Sequence, residues 1–114
     1  MNVGDVHWVD FLQANGREQQ GRRPAIVMQD EGYAGSLPTT LAIPLSTAKR
    51  ALRFAGTAMI DATNESGLRQ QSVALVLQFR AIDRTRVRER LGIISDEERA
   101  AVFDEMRKLT GQAK

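Results

Sequence analysis

The hydrophobic period of this chain changes once, near residue 95, and that change does most to limit what it can fold into. Upstream, apolar residues fall in strand-length runs closed by glycine, proline or polar clusters. "DVHWVDF" sets Val6, Trp8 and Asp10 against His7, Val9 and Phe11, the alternation of a strand. "PAIVMQ" predicts a second strand, opened by a proline that a strand tolerates at its first position. "DEGYAGSLP" reads as a loop, "TTLAIPL" and "GTAMIDA" as strands, and "TNESGLRQQ" as a turn-rich link. "SVALVLQFRAID" is the longest apolar run and predicts the central strand. "DRTRVRER" predicts a short helical turn.

Downstream, "SDEERAAVFDEMRKLTG" has the helical period. Ser95 followed by Glu98 forms a capping box. Asp96, Glu97 and Glu98 suit the positive end of the helix dipole, Arg107 and Lys108 the negative end. Val102, Phe103, Met106 and Leu109 make one apolar stripe, for core packing or a subunit contact, and Gly111 is placed to stop the helix. About five short strands and one terminal helix predict a mainly β fold, a small barrel or half-barrel. At 114 residues the expectation is a single domain spanning 1–114, large enough to bury about two thirds of its surface.

Composition removes whole chemistries. With no cysteine, disulfides, thiolate zinc sites and cysteine nucleophiles are excluded. No stretch approaches the ~18 apolar residues of a membrane span, so a cytoplasmic protein with no membrane partner is expected. The only histidine is His7, which excludes a histidine pair for acid–base work and reads as an ordinary sheet residue. The acids show no metal-ligand spacing, and neither a phosphate-binding Walker loop nor a dinucleotide fingerprint occurs. No metal and no cofactor are expected. The net charge of +2 is weak, but "STAKRALRF" concentrates Lys49, Arg50 and Arg53 without an acid, a pattern that suits phosphate.

The remaining groups, arginines, a carboxylate and hydroxyls, suit cleavage of an RNA phosphodiester by its own 2′-hydroxyl, where a protein has only to align, neutralise and move protons. Three arginines and one carboxylate gather in "GREQQGRRPAIVMQ". Taken with "GDVHWVDF", "AIPLS" and "SVALVLQFRAIDRTRVRERLG", in order and spacing, that loop resembles the MazF/PemK/Kid family of toxin endoribonucleases over nearly the whole chain. The resemblance implies a homodimeric SH3-like barrel of the MazF/Kid/CcdB type. It implies sequence-specific, metal-independent cutting of single-stranded RNA to 2′,3′-cyclic phosphate and 5′-hydroxyl ends, and neutralisation by an antitoxin of the MazE type.

By the same resemblance the catalytic residues are Arg23, Ser46 and Glu18. Arg17, Gln19, Arg22, Thr47, Lys49, Arg50, Arg53 and Gln78 are expected along the RNA. Each catalytic residue has a plainer alternative: Arg23 as a cap of the loop against the sheet, Ser46 with Thr47 as a hydroxyl turn, Glu18 as a surface ion pair with Arg17 or Arg22. Leu77 stands where many members carry an acid, and Arg17 where one branch carries a histidine, so a mechanism on Arg23 and Ser46 fits best. Base choice is expected in "QDEGYAGSLP", with Tyr33 near a base, and in "STAKRALRFAG". The antitoxin should lay an acidic, disordered tail over Arg23 and the Lys49–Arg53 patch. The other readings are a gyrase-poisoning toxin on the same fold and a passive single-strand RNA binder.

Overall fold

The computed structural model describes residues 1–11 and 21–112. Among these, seven strands form one bent antiparallel sheet: β1 (Asp5–Phe11), β2 (Gly21–Val27), β3 (Thr39–Ser46), β4 (Thr57–Ile60), β5 (Ser72–Leu75), β6 (Arg80–Asp83) and β7 (Val87–Ile93). The order is β4-β5-β3-β2-β1-β7, with β6 also paired to β3. A helical turn, α1 (Glu31–Ala34), follows β2, and the chain ends in α2 (Asp96–Leu109). The expected mainly β fold with a C-terminal helix is therefore observed.

Four local expectations change. The run "SVALVLQFRAID" is not one central strand. It breaks at a 3-10 turn, Val76–Gln78, into β5 and β6, which pair with opposite ends of β3: Ser46 with Val73, Thr40 with Ile82. The hub is β3, and the break lets the sheet bend along it. "VRERLGI", whose first four residues belong to the segment read as a helical turn, is β7; only Arg84–Arg86 coils as 3-10. Edge strands carry charge that blocks further pairing, and that charge hid the alternation. "DEGYAGSLP" contains α1, capped by Asp30, whose carboxylate accepts from Gly32 N–H (2.8 Å). Arg84 ties this turn down through both oxygens of Glu31 (2.9 and 3.0 Å), and those hydrogen bonds hold the Glu31 carboxyl below its usual range.

The fourth concerns Pro24, which lies inside β2 rather than at its start. Gly4 N–H donates to the Val27 carbonyl (2.7 Å), so odd-numbered groups of β2 face β1 and even-numbered ones face β3. Pro24's missing N–H thus points toward β3, at the end of the β2–β3 pairing, and the β1 ladder loses no bond.

Alternation along the strands builds two cores. Val6, Ile26, Ile43, Leu45, Ile60 and Val76 pack on one face under Val102 of α2; Val9, Phe11, Ala25, Ala42 and Ile82 pack on the other. The capping box closes with Ser95 Oγ accepting from Glu98 N–H (3.0 Å) and Glu98 Oε1 from Ser95 N–H (2.9 Å). Gly111 (φ +75°) ends the helix in a Schellman turn, with Gln112 N–H on the Arg107 carbonyl (2.7 Å) and Gly111 N–H on that of Lys108 (3.2 Å). Only Val102 of the stripe is buried; Phe103 and Leu109 stay 38% and 45% exposed.

The link between β4 and β5 is pressed onto β7. Ile93 N–H donates to Glu65 O (2.7 Å), and Ser66 Oγ donates to the Asp61 carbonyl (2.9 Å) while accepting from Thr63 N–H (3.0 Å). A Cβ at Gly92 would meet the Glu65 carbonyl at 2.0 Å. Gly92→Ala is therefore expected to lower stability by about 1–3 kcal/mol, because backbone has to move. A urea midpoint unchanged from wild type would refute this.

Candidate functional site

Two of the three residues expected to do the chemistry, Arg23 and Ser46, align at one end of the sheet. Arg23 pairs with Val9 in β2 and Ser46 closes β3. The β2–β3 register of Ala25 with Pro44, carried two residues on, aligns Arg23 with Ser46. Both share the face of Ala25 and Ala42, since side chains alternate along a strand. They are half-buried, and Arg23 has an interaction partner within the chain. Ser46 Oγ accepts from Ala48 N–H (3.1 Å), so the hydroxyl turn does form. That bond uses one lone pair, leaving the hydroxyl its proton to donate and a second lone pair.

Beside Ser46 opens a cleft of about 680 Å³ whose lining includes Arg50, Phe54, Leu77 and Gln78. Arg50 is brought there by the 3-10 turn Lys49–Arg53, and Gln78 by the break between β5 and β6. Arg23 does not line this cleft. Lys49 and Arg53 are exposed on the same turn but outside the lining. The structure thus brings Ser46, Arg50 and Gln78 to one cleft, as parts of a sheet bend rather than a long strand.

Other expected site residues fall elsewhere. Arg17, Glu18 and Gln19 lie outside the described residues. Arg22 is on the opposite face from Arg23, hydrogen-bonded through Nη2 to both Glu89 oxygens (2.9 and 3.2 Å) and 5.8 Å from the Trp8 ring centroid. Thr47 faces a second cavity described below. Tyr33 is 92% exposed, but its loop joins the far ends of β2 and β3. From Arg23 to Asp30 the chain runs roughly 23 Å at strand spacing, so within one chain Tyr33 is remote from Ser46. His7 is buried, with Nδ1 donating to the Arg88 carbonyl (2.8 Å), as an ordinary sheet histidine would. Among the described residues no group of three or more His, Asp or Glu side chains could hold a metal ion, and no helix is long and apolar enough to cross a membrane.

Sequence reasoning missed the second cavity, of about 280 Å³, lined by Trp8, Pro24, Thr47, Leu91 and the Gly67–Gln70 segment. The available signal was Gly92, since a glycine inside a strand marks close backbone approach. With β7 unread, that signal had no strand to belong to.

The family model for the PemK-like, MazF-like toxin of type II toxin-antitoxin systems matches residues 2–110. The chain belongs to this family. It is 30% identical over 111 residues to the endoribonuclease toxin MazF of Escherichia coli, covering 96% of this chain and 94% of that protein. It is also 30% identical over 94 residues to the endoribonuclease EndoA of Bacillus subtilis, covering 82% and 80%. Among solved structures it resembles MazF of Deinococcus radiodurans, with a TM-score of 0.81 and 28% identity, covering 97% and 96%. A MazE–MazF structure from the same organism aligns at 0.76 and 28%, covering 99% and 97%. The expected family and the MazF-type fold are both borne out.

Proposed function

We propose that this MazF-type endoribonuclease toxin cuts single-stranded RNA at short sequences, without a metal, by attack of the substrate's 2′-hydroxyl. The 2′ oxygen bonds to phosphorus as the bond to the 5′ oxygen breaks. The 2′ proton leaves, the departing 5′ oxygen gains one, and the ends are a 2′,3′-cyclic phosphate and a 5′-hydroxyl. The observation that carries this is the alignment of Arg23 with Ser46, distant in sequence, on one face of the sheet, with Ser46 also lining the Arg50–Gln78 cleft.

In this reading Arg23 offers a planar donor fork that never deprotonates and stabilises charge on the pentacovalent phosphate. Ser46, oriented by Ala48 N–H, donates its proton to a phosphate oxygen or the leaving oxygen. Arg50 and Gln78 hold the strand in the cleft, with Lys49 and Arg53 adding positive potential. Glu18 assists proton transfer or loop order.

The working unit is a homodimer, supported by the apolar surface that continues from α2 into the cleft. A Cβ on Gly56 would touch both Leu109 (2.8 Å) and Leu77 (3.1 Å), so those side chains adjoin. Phe79 and Phe103 flank Leu109, and Phe54 lies with Leu77 beside Ser46. The partner that silences the enzyme is an antitoxin of the MazE type, as the MazE–MazF relative suggests. The whole chain acts as one domain in the cytoplasm.

The test is incubation of pure protein with mixed RNA in EDTA, followed by analysis of the ends. Cyclic phosphate and 5′-hydroxyl ends are expected. Intact RNA with EDTA and cleavage without it would sink metal independence. Ser46→Ala should slow cutting at least about tenfold, since it removes one transition-state hydrogen bond, and a full rate would remove Ser46 from the mechanism.

A further inference from the structure

Neighbouring residues of a strand point to opposite faces, so the sheet end that presents Arg23 and Ser46 on one side presents Pro24 and Thr47 on the other. There the 280 Å³ cavity opens, walled by Trp8, Leu68 and Leu91 and edged by Thr47, Arg69 and Gln70. We propose that this cavity is a nucleobase pocket. It takes the base of a nucleotide flanking the cut, with Trp8 as the stacking surface and Arg69 and Gln70 reading the base edge. The proposal rests on the RNA-cleavage reading and gives it a specificity element.

The cavity is a built one. Leu68 is only 9% exposed and packs in the main core. Gly67 (φ +70°) sits so close to β7 that a Cβ would meet the Leu91 carbonyl at 2.1 Å. Ser66, 1% exposed, pins the preceding turn through its hydroxyl, which also accepts from Leu68 N–H (3.3 Å). Packing on β7 and into the core holds the link rigid, as a pocket that reads one base has to be. Arg69 and Gln70, with Thr47, are the exposed side chains at its rim. Sequence-specific RNA readers stack an unpaired base on an aromatic and hydrogen-bond its edge, and these residues supply both parts.

The chemistry narrows the base. Arg69 brings only donors, Gln70 both donors and an acceptor, so a base edge rich in acceptors is favoured over one that offers only an amino group. The volume lies just below the usual range of small-ligand clefts and suits one base rather than a length of strand. Pro24 and Thr47 directly follow Arg23 and Ser46 in sequence, with consecutive Cα atoms about 3.8 Å apart, so an RNA strand that rounds the sheet end would meet the Arg23–Ser46 pair on one side and the pocket on the other. The Tyr33 loop, expected to carry specificity, has no such position within the chain.

Two measurements test this. In the first, wild type, Arg69→Ala and Gln70→Ala cut an RNA pool with random sequence, and the cut sites are read by sequencing. Both variants should still cut, but preference at one position beside the cut should fall about tenfold, in the range of one stacked and hydrogen-bonded base, with other positions unchanged. Variants that keep the full wild-type preference at every position overturn the pocket. A wild type that cuts nothing overturns the cleavage reading, and this use of the pocket with it. In the second, Trp8, the only tryptophan, reports directly. An oligonucleotide of the preferred sequence, made uncleavable by a 2′-deoxy sugar at the cut, should quench its emission, and less so in the two variants. Emission unchanged while anisotropy shows the oligonucleotide bound would refute the proposal independently of catalysis.

Discussion

Arg23→Ala is expected to lower RNA cleavage about a hundred- to a thousandfold, the usual loss when one preorganised transition-state donor is removed, while the protein stays folded. Folding should survive because the backbone of residue 23 makes the β1 ladder, through its pairing with Val9, and alanine keeps that backbone. Two comparisons separate chemistry from binding. Arg23→Lys restores the charge but not the fork, so it should recover only part of the rate. An uncleavable oligonucleotide should bind Arg23→Ala far better than the drop in rate implies, because a transition-state contact lowers the rate more than ground-state affinity. An Arg23→Ala protein that cuts at the wild-type rate would remove this residue from the mechanism.

The second large effect is expected on assembly. Phe103 and Leu109 leave more than a third of their surfaces exposed on a face continuous with the cleft. Replacing both by glutamate should convert the dimer to monomer at micromolar concentration. The lost apolar contact alone is worth about 2–3 kcal/mol for two partly buried side chains, roughly a 30- to 150-fold weaker dimer, and burying two carboxylates adds to it. Both positions lie on α2, away from Arg23 and Ser46, so activity per site should fall with dimer content and return as concentration rises. Sedimentation of the wild type as a monomer at those concentrations would show that something else covers this face.

What could be read from residues alone was what depends on neighbours in the chain. The α2 cap is a contact between Ser95 and Glu98, three positions apart, and the Gly111 stop needs only a positive φ; both stand as read. Strands β1, β3 and β4 are also local, since alternation over a few residues decides them. The pairing of Arg23 with Ser46 was reached only by family resemblance, because no spacing rule relates positions so far apart.

Long-range packing decided the rest. Nothing in "SVALVLQFRAID" marks where it should break. The break at Val76–Gln78 exists because both halves pair with the same bent strand, β3, and α2 packs against the turn between them. The β7 strand went unread because an edge strand carries charge for reasons that appear only when the sheet order is known. The pocket behind Arg23 is the extreme case. Trp8, Thr47, Leu68 and Leu91 come from four separate segments, and the glycines that let those segments touch, Gly67 and Gly92, look in sequence like an ordinary turn and a weak point in a strand. Local patterns fix elements through energies shared by near neighbours, whereas a cavity is set by which distant backbones can approach within van der Waals contact, and only the folded sheet determines that.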